Sequence, residues 1–189
     1  MKEQQKKYEL TGEFIEHWSG KKLYRIRALV SFGVVVAGQL GGFVESEKNL
    51  DQSLSGNAWV HGDAWVYGNA RVYGDARVYG DAEVSGNAWV YGDARVYGDA
   101  EVSGNARVRS HAVISEHKMI FLASNVGSEN GTLTVFNGRD GLIVTRGCFT
   151  GTVDEFLAKS AEVHDDKTKN EYKLLIEVAK SRILGVKDE

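Results

Sequence analysis

The chain of 189 residues contains no proline. At average usage of about 5%, roughly nine would be expected, so a backbone built on ladder hydrogen bonds, which proline interrupts, is the first implication. Cysteine is nearly absent as well. The single Cys148 excludes an internal disulfide framework and fits a reducing compartment. Long apolar runs are missing: the start, MKEQQKKYEL, lacks the apolar stretch of a secretory signal. The longest uncharged run, Ala28 to Val44, carries four glycines and falls short of the ~20 residues of a spanning helix. The expectation is a protein of the cytoplasm without a membrane segment. A net charge of −3 gives no global basic field, so nucleic acid or anionic lipid would have to be met by a local patch.

Glycine, by contrast, is abundant, at 22 residues. From Gly56 to Ser115 the sequence runs as ten hexapeptides without a gap: GNAWVH GDAWVY GNARVY GDARVY GDAEVS GNAWVY GDARVY GDAEVS GNARVR SHAVIS. Nine glycines open successive units from Gly56 to Gly104, each followed by Asn or Asp, the residue types that form corners. Alanine recurs every sixth residue from Ala58 to Ala112, and Val or Ile from Val60 to Ile114. Residues two apart share one face of a strand, so Ala and Val point inward together and their neighbours point outward. A 3.6-residue period would scatter the valines around a helix, which excludes a helical reading. This pattern resembles the hexapeptide-repeat left-handed β-helix, in which three hexapeptides form one triangular coil. The resemblance implies a mainly β fold, a left-handed parallel β-helix of about three to four coils.

The flanks read as caps. Residues 8–50 carry strand signals, with a turn at Ser19-Gly20, alternation of Tyr24, Ile26 and Ala28 against Arg25 and Arg27, and Leu54 in register with Val60. After Ile114 the register continues to Ile120, and TLTVF and LIVTR form a hairpin across NGRDG. Thr152 and Glu155 form a capping-box signature for a helix to about His164. Tyr172, Leu175, Ile176, Ala179 and Ile183 mark a second helix near 169–183. Both helices are expected on the prism or on a neighbouring subunit. The organisation is an N-terminal β cap (1–50), the β-helix (51–122), a β-hairpin cap (123–150) and a helical segment (151–189).

Taken whole, YRIRAL, AGQLGGFVESEKNL, the hexapeptides, GTLTVF and GLIVTRGCFTGTVDEF resemble a family of phage- and prophage-encoded hexapeptide-repeat proteins, some described as polymer-forming or acyltransferase-like. The likeness extends over about residues 8–183. It implies a homotrimer in the cytoplasm of a bacterial host, and a host protein, such as a component of antiviral defence, as partner.

Enzymatic readings find little support in the residues. An acyl-CoA-dependent acyltransferase, the alternative that the repeat invites, needs a histidine base beside a groove. His61, outward after Val60, is the best placed, whereas His17 and His164 read as solvated. The repeat also lacks the loop inserted between coils in such enzymes. His111 and His117 lie on successive corners and cannot share a metal, and no third histidine completes a set with His61, so neither a metal nor another cofactor is expected. Cys148 reads as a small buried thiol, and the corner carboxylates as caps of local backbone amides.

The outward positions are distinctive. Stacking by 18 residues places Trp59, Arg77 and Arg95 beside His61, Tyr79 and Tyr97 on one face, and Arg71, Trp89 and Arg107 beside Tyr73, Tyr91 and Arg109 on another. The third begins with Trp65 and Tyr67 and continues with Glu83, Glu101 and two serines. Cross-strand pairing within the sheet accounts for part of this pattern. Three of the four tryptophans and five of the eight tyrosines nevertheless point outward here, and aromatic surface with arginine is what interfaces use. The expected site is a non-catalytic binding surface made of these Trp, Tyr and Arg residues. Nucleic acid is the lesser candidate partner, because five repeat arginines face five aspartates and two glutamates.

Overall fold

The computed structural model describes residues 5–185. Three strands lead in: β1 (Tyr8–Glu16), β2 (Lys22–Ala28) and β3 (Leu40–Val44). Strands β1 and β2 form an antiparallel hairpin closed where His17 N–H donates to the Lys21 carbonyl and Gly20 takes φ of 80°. Ten two-residue rungs follow in chain order: β4 (Trp59–Val60), β5 (Trp65–Val66), β6 (Arg71–Val72), β7 (Arg77–Val78), β8 (Glu83–Val84), β9 (Trp89–Val90), β10 (Arg95–Val96), β11 (Glu101–Val102), β12 (Arg107–Val108) and β13 (Val113–Ile114).

The rungs stack in parallel into three sheets, β3-β5-β8-β11, β6-β9-β12 and β4-β7-β10-β13, giving a β-solenoid of about four turns. Every repeat Ala and Val or Ile named above is buried. The corners follow from glycine: Gly62 to Gly104 adopt φ between 63° and 73°, a region costly for residues with a Cβ. In the tenth repeat Ser110 stands in glycine's place and still takes φ of 60°.

The first coil starts earlier than the repeat. Phe43 pairs with Trp65 and Leu50 bridges to Val72, both 22 residues apart, whereas later rungs pair 18 apart. Four extra residues therefore bulge between Leu50 and Trp59. Leu50, not Leu54, supplies the inward side chain; Leu54 is 49% exposed on the bulge. Gly41 lets β3 lie against β4, since a Cβ there would stand 2.5 Å from the Val60 carbonyl oxygen.

Polar side chains close the lower edge, whose carbonyls would otherwise lack donors. Buried Lys7 donates from Nζ to the carbonyls of Gly56 (3.3 Å) and Ala58 (3.2 Å). Burial pushes its pKa below the usual lysine range, against the opposing pull of Asp51 and Asp75. Tyr8 donates its hydroxyl to the Leu50 carbonyl, and Asn49 Nδ2 reaches those of Gly68 and Ala70.

The upper end is closed differently. Strands β14 (Ile120–Val126), β15 (Gly131–Gly138), β16 (Gly141–Arg146) and β17 (Phe149–Thr152) form one antiparallel sheet of four strands, larger than the expected hairpin. Ile120 leaves the coil register and pairs with Phe136, whose buried ring joins the solenoid core. Thr145 donates to the Arg107 carbonyl and Asn137 to that of Val113, so the top rungs are tied to this sheet.

Helices α1 (Val153–Val163) and α2 (Asp166–Leu184) follow. The Thr152–Glu155 capping box is present, and Asp165 caps α2, which starts three residues before the spacing implied. Both helices pack on the terminal sheet, not on a prism face: Phe156, Tyr172, Ile176 and Ala179 form a second core with Leu133, Val135 and Val144. Among the described residues, no helix is long and apolar enough to cross a membrane.

Candidate binding faces

Outward residues at equivalent positions of successive coils lie about 4.8 Å apart, the spacing of neighbouring strands. Aromatic rings can therefore stack along a face, and what each column carries decides its chemistry.

On the tyrosine face (β4-β7-β10-β13), His61, Tyr79 and Tyr97 form a continuous pile with ring centroids 4.9 Å apart and planes within 5°. Burial in the stack lowers the pKa of His61, and Arg77 lowers it further, so the ring is held neutral. Arg77 and Arg95 run alongside. Trp59, assigned to this surface from the period alone, is 2% exposed. Tyr8 and Phe32 meet its ring edge-on at 6.3 and 5.4 Å, so it is a core residue of the N-terminal cap and no part of a binding surface.

The acidic face (β3-β5-β8-β11) opens on Trp65 and Tyr67, both covered in part by His17, whose ring lies 5.6 and 4.5 Å from theirs. His17 is thus not solvated but buried, at 3% exposure, because the β1–β2 turn folds over this face. Tyr67 donates its hydroxyl to Glu83; burial first, and this carboxylate second, push its pKa up to about 12. Above them Glu83 and Glu101 stand directly in register. Burial alone would raise the pKa of Glu45 at the rim, but bonds from Lys21 and the Gly68 N–H hold it below the usual range.

On the tryptophan face (β6-β9-β12) Arg71 and Arg107 are exposed, and Tyr73, Trp89, Tyr91 and Arg109 are half-buried. Trp89 is sandwiched along its column, with the Arg107 guanidinium 4.5 Å and that of Arg71 5.9 Å from its ring. Beside it Tyr73 and Tyr91 stack at 4.8 Å, with Arg109 5.6 Å over Tyr91. Among the described residues none of these three arginines has a carboxylate partner; Arg109 donates only to the Cys148 carbonyl. At the lower end of this face a groove of about 510 Å³ runs between the Glu47–Gln52 segment and Arg71, Tyr73 and Trp89. The repeat pattern does not reveal it, because it depends on the bulged first coil.

The corners differ from expectation. Asn69, Asn87 and Asn105 form a ladder of side-chain bonds of 3.1 Å. Asp75 accepts from the N–H and Nδ2 of Asn57, one coil away, not from its own turn. His111 and His117 sit near Asp93 (3.8 Å) and Glu101 (3.7 Å) respectively. Cys148 is exposed on the turn between β16 and β17, correcting the buried reading. Half-buried His164 packs on Tyr172 and lies 3.2 Å from the Ser160 hydroxyl, so it too is not simply solvated. Among the described residues no three His, Cys, Asp or Glu side chains gather as a cation site.

No curated protein matches the chain. Residues 64–80 and 76–92 match the family described as YdcK Beta solenoid repeat. The match lies wholly within the stacked rungs, so what the chain shares with that family is the repeat of a β-solenoid.

Proposed function

We propose that the protein is a non-enzymatic binding scaffold that engages a protein surface, another copy of itself or a host protein, through the tryptophan face. One observation carries the reading. Exposed Arg71 and Arg107 flank a half-buried Trp89, and with Arg109 over Tyr91 they form a surface cluster whose three guanidiniums have no carboxylate partner among the described residues. Arginine and tryptophan at a surface are the residues on which interfaces concentrate their binding energy. The residues themselves do not need this exposure to maintain the coil, whose core is complete beneath them.

The resemblance to phage- and prophage-encoded hexapeptide-repeat proteins adds the finer reading: a homotrimer in the host cytoplasm, acting on a host component such as one of antiviral defence. The test is the variant Trp89→Ala with Arg107→Ala. Association or partner capture is expected to be lost while the far-ultraviolet spectrum and melting transition persist. Unchanged oligomer mass together with unchanged capture contradicts the proposal.

A further inference from the structure

The acidic and tryptophan faces share one corner of the prism, and their unpaired charges are opposite. On the acidic side, Glu83 and Glu101 stand in register, an arrangement that destabilises a sheet when nothing neutralises it. Among the described residues their only relief is the Tyr67 hydroxyl on Glu83 and the His117 ring near Glu101. On the other side Arg71, Arg107 and Arg109 lack carboxylate partners among the described residues. On the tyrosine face Arg77 and Arg95 likewise have no ion pair among the described residues, but they lie between two corner columns of aspartate, Asp63, Asp81 and Asp99 on one edge and Asp75 and Asp93 on the other, where the tryptophan face borders one.

The shared corner differs in kind. It carries Asn69, Asn87 and Asn105, bonded to one another as amides, where both other corners carry aspartates. In a ring of copies packed about an axis along the solenoid, the corner between the two contacting faces lies nearest that axis. An aspartate column there would crowd like charges from every copy, whereas amides can donate and accept across the axis.

From these two independent asymmetries we infer that the occupant of the tryptophan face is the acidic face of a second copy, in a closed ring with the asparagine corner innermost. This inference rests on the reading of the tryptophan face as a binding surface. The contact is heterologous, with different patches meeting, which closes into a ring when the rotation permits. With the copies parallel in such a ring, Arg107 meets Glu101 at its own level, Arg71 lies between the levels of Trp65 and Glu83, and Trp89 supplies the apolar centre. A nucleic acid strand fits less well, because the Asp75 and Asp93 column borders the same face.

Charge reversal tests the pairing by mass in solution, with thermal melts to verify folding. Two variants, Glu83→Lys with Glu101→Lys and Arg71→Glu with Arg107→Glu, are each expected to fall from the assembled mass to the 20.8 kDa of one chain. A chain carrying all four substitutions restores opposite charges across the contact and is expected to recover the assembly. Since Glu83 also holds Tyr67, Glu101→Lys alone serves where the first variant does not fold, and its expected mass is again that of one chain. If arginine reversal abolishes assembly but glutamate reversal does not, the tryptophan face binds something else, and the pairing falls while the binding reading stands. If neither reversal changes the mass, the pairing falls, and the Trp89→Ala, Arg107→Ala result decides the broader reading separately. A wild-type monomer that binds a single-stranded oligonucleotide, with binding lost on arginine reversal, also overturns the pairing.

Discussion

The acidic and tryptophan faces are built on one backbone and one core, yet they present opposite chemistry. Beneath Glu83 and Trp89 lie the same buried neighbours, Val84 with Ala82 and Val90 with Ala88. Their ladders are the same too: Glu83 N–H donates to the Ala100 carbonyl and Trp89 N–H to that of Ala106, both at 2.9 Å. The inward positions are constrained by the width of the coil, which admits a small residue near the corner and a branched one on the flat. The outward positions fill no space inside the coil, so their difference is where the proposed binding is encoded, and outward substitutions are expected to spare the core.

The largest effect should be insensitive to face. Val84→Asp and Val90→Asp each place an unpaired charge in the stack and are expected to destabilise by about 4 kcal/mol or more, measured by chemical denaturation. A much milder effect at one of them would break the equivalence of the two faces. Outward substitution lies at the other extreme: the Trp89→Ala, Arg107→Ala variant should lose association while losing only the stacking contribution to stability, about 1 kcal/mol per cation–aromatic contact.

The smallest effect concerns the tyrosine face. Burial under Tyr79 depresses the pKa of His61 in the folded chain, so the unfolded chain takes up the proton first as pH falls. Stability contributed by the neutral ring is fully present above about pH 6.5, the unperturbed histidine value, and declines as pH falls below it. Melting temperatures followed downward from pH 7 should therefore drop more in the wild type than in His61→Gln. An equal drop in both would show that the ring is not held neutral by the stack.

How far the sequence alone reached depends on what each inference rested on. Alanine and valine every sixth residue report a purely local rule, side-chain alternation along a strand, and all of those positions are buried. Trp59 obeys the same rule yet is buried, because an outward position in the coil is exposed only where no other segment covers it. Tyr8, Phe32 and Gly41 do cover it, through contacts that no period describes. His17 is buried for the same reason, in a turn that folds over Trp65 and Tyr67. Leu54 looked inward because the six-residue count was extended past the first glycine. The bulge before β4 breaks the count, and Leu50 takes the core position.

The columns of the two exposed faces were legible from stacking by 18, including Arg71, Trp89 and Arg107. The groove below Trp89 was not, since it arises from the irregular first coil. Helix capping at Thr152 and the apolar stripe of α2 were local and readable; that both helices serve the terminal sheet, not the prism, is a tertiary fact.

Hydroxyl-radical footprinting of the assembled or partner-bound protein, set against the Arg71→Glu, Arg107→Glu variant, tests most directly whether the tryptophan face is an occupied interface. Leu174, 59% exposed on α2 and part of neither face, serves as the internal reference. Protection of Tyr73 and Trp89 in the wild type, lost in the variant while Leu174 reacts alike in both, is the result predicted. Equal reactivity of Tyr73 and Trp89 in both proteins, with Leu174 unchanged, would contradict the account.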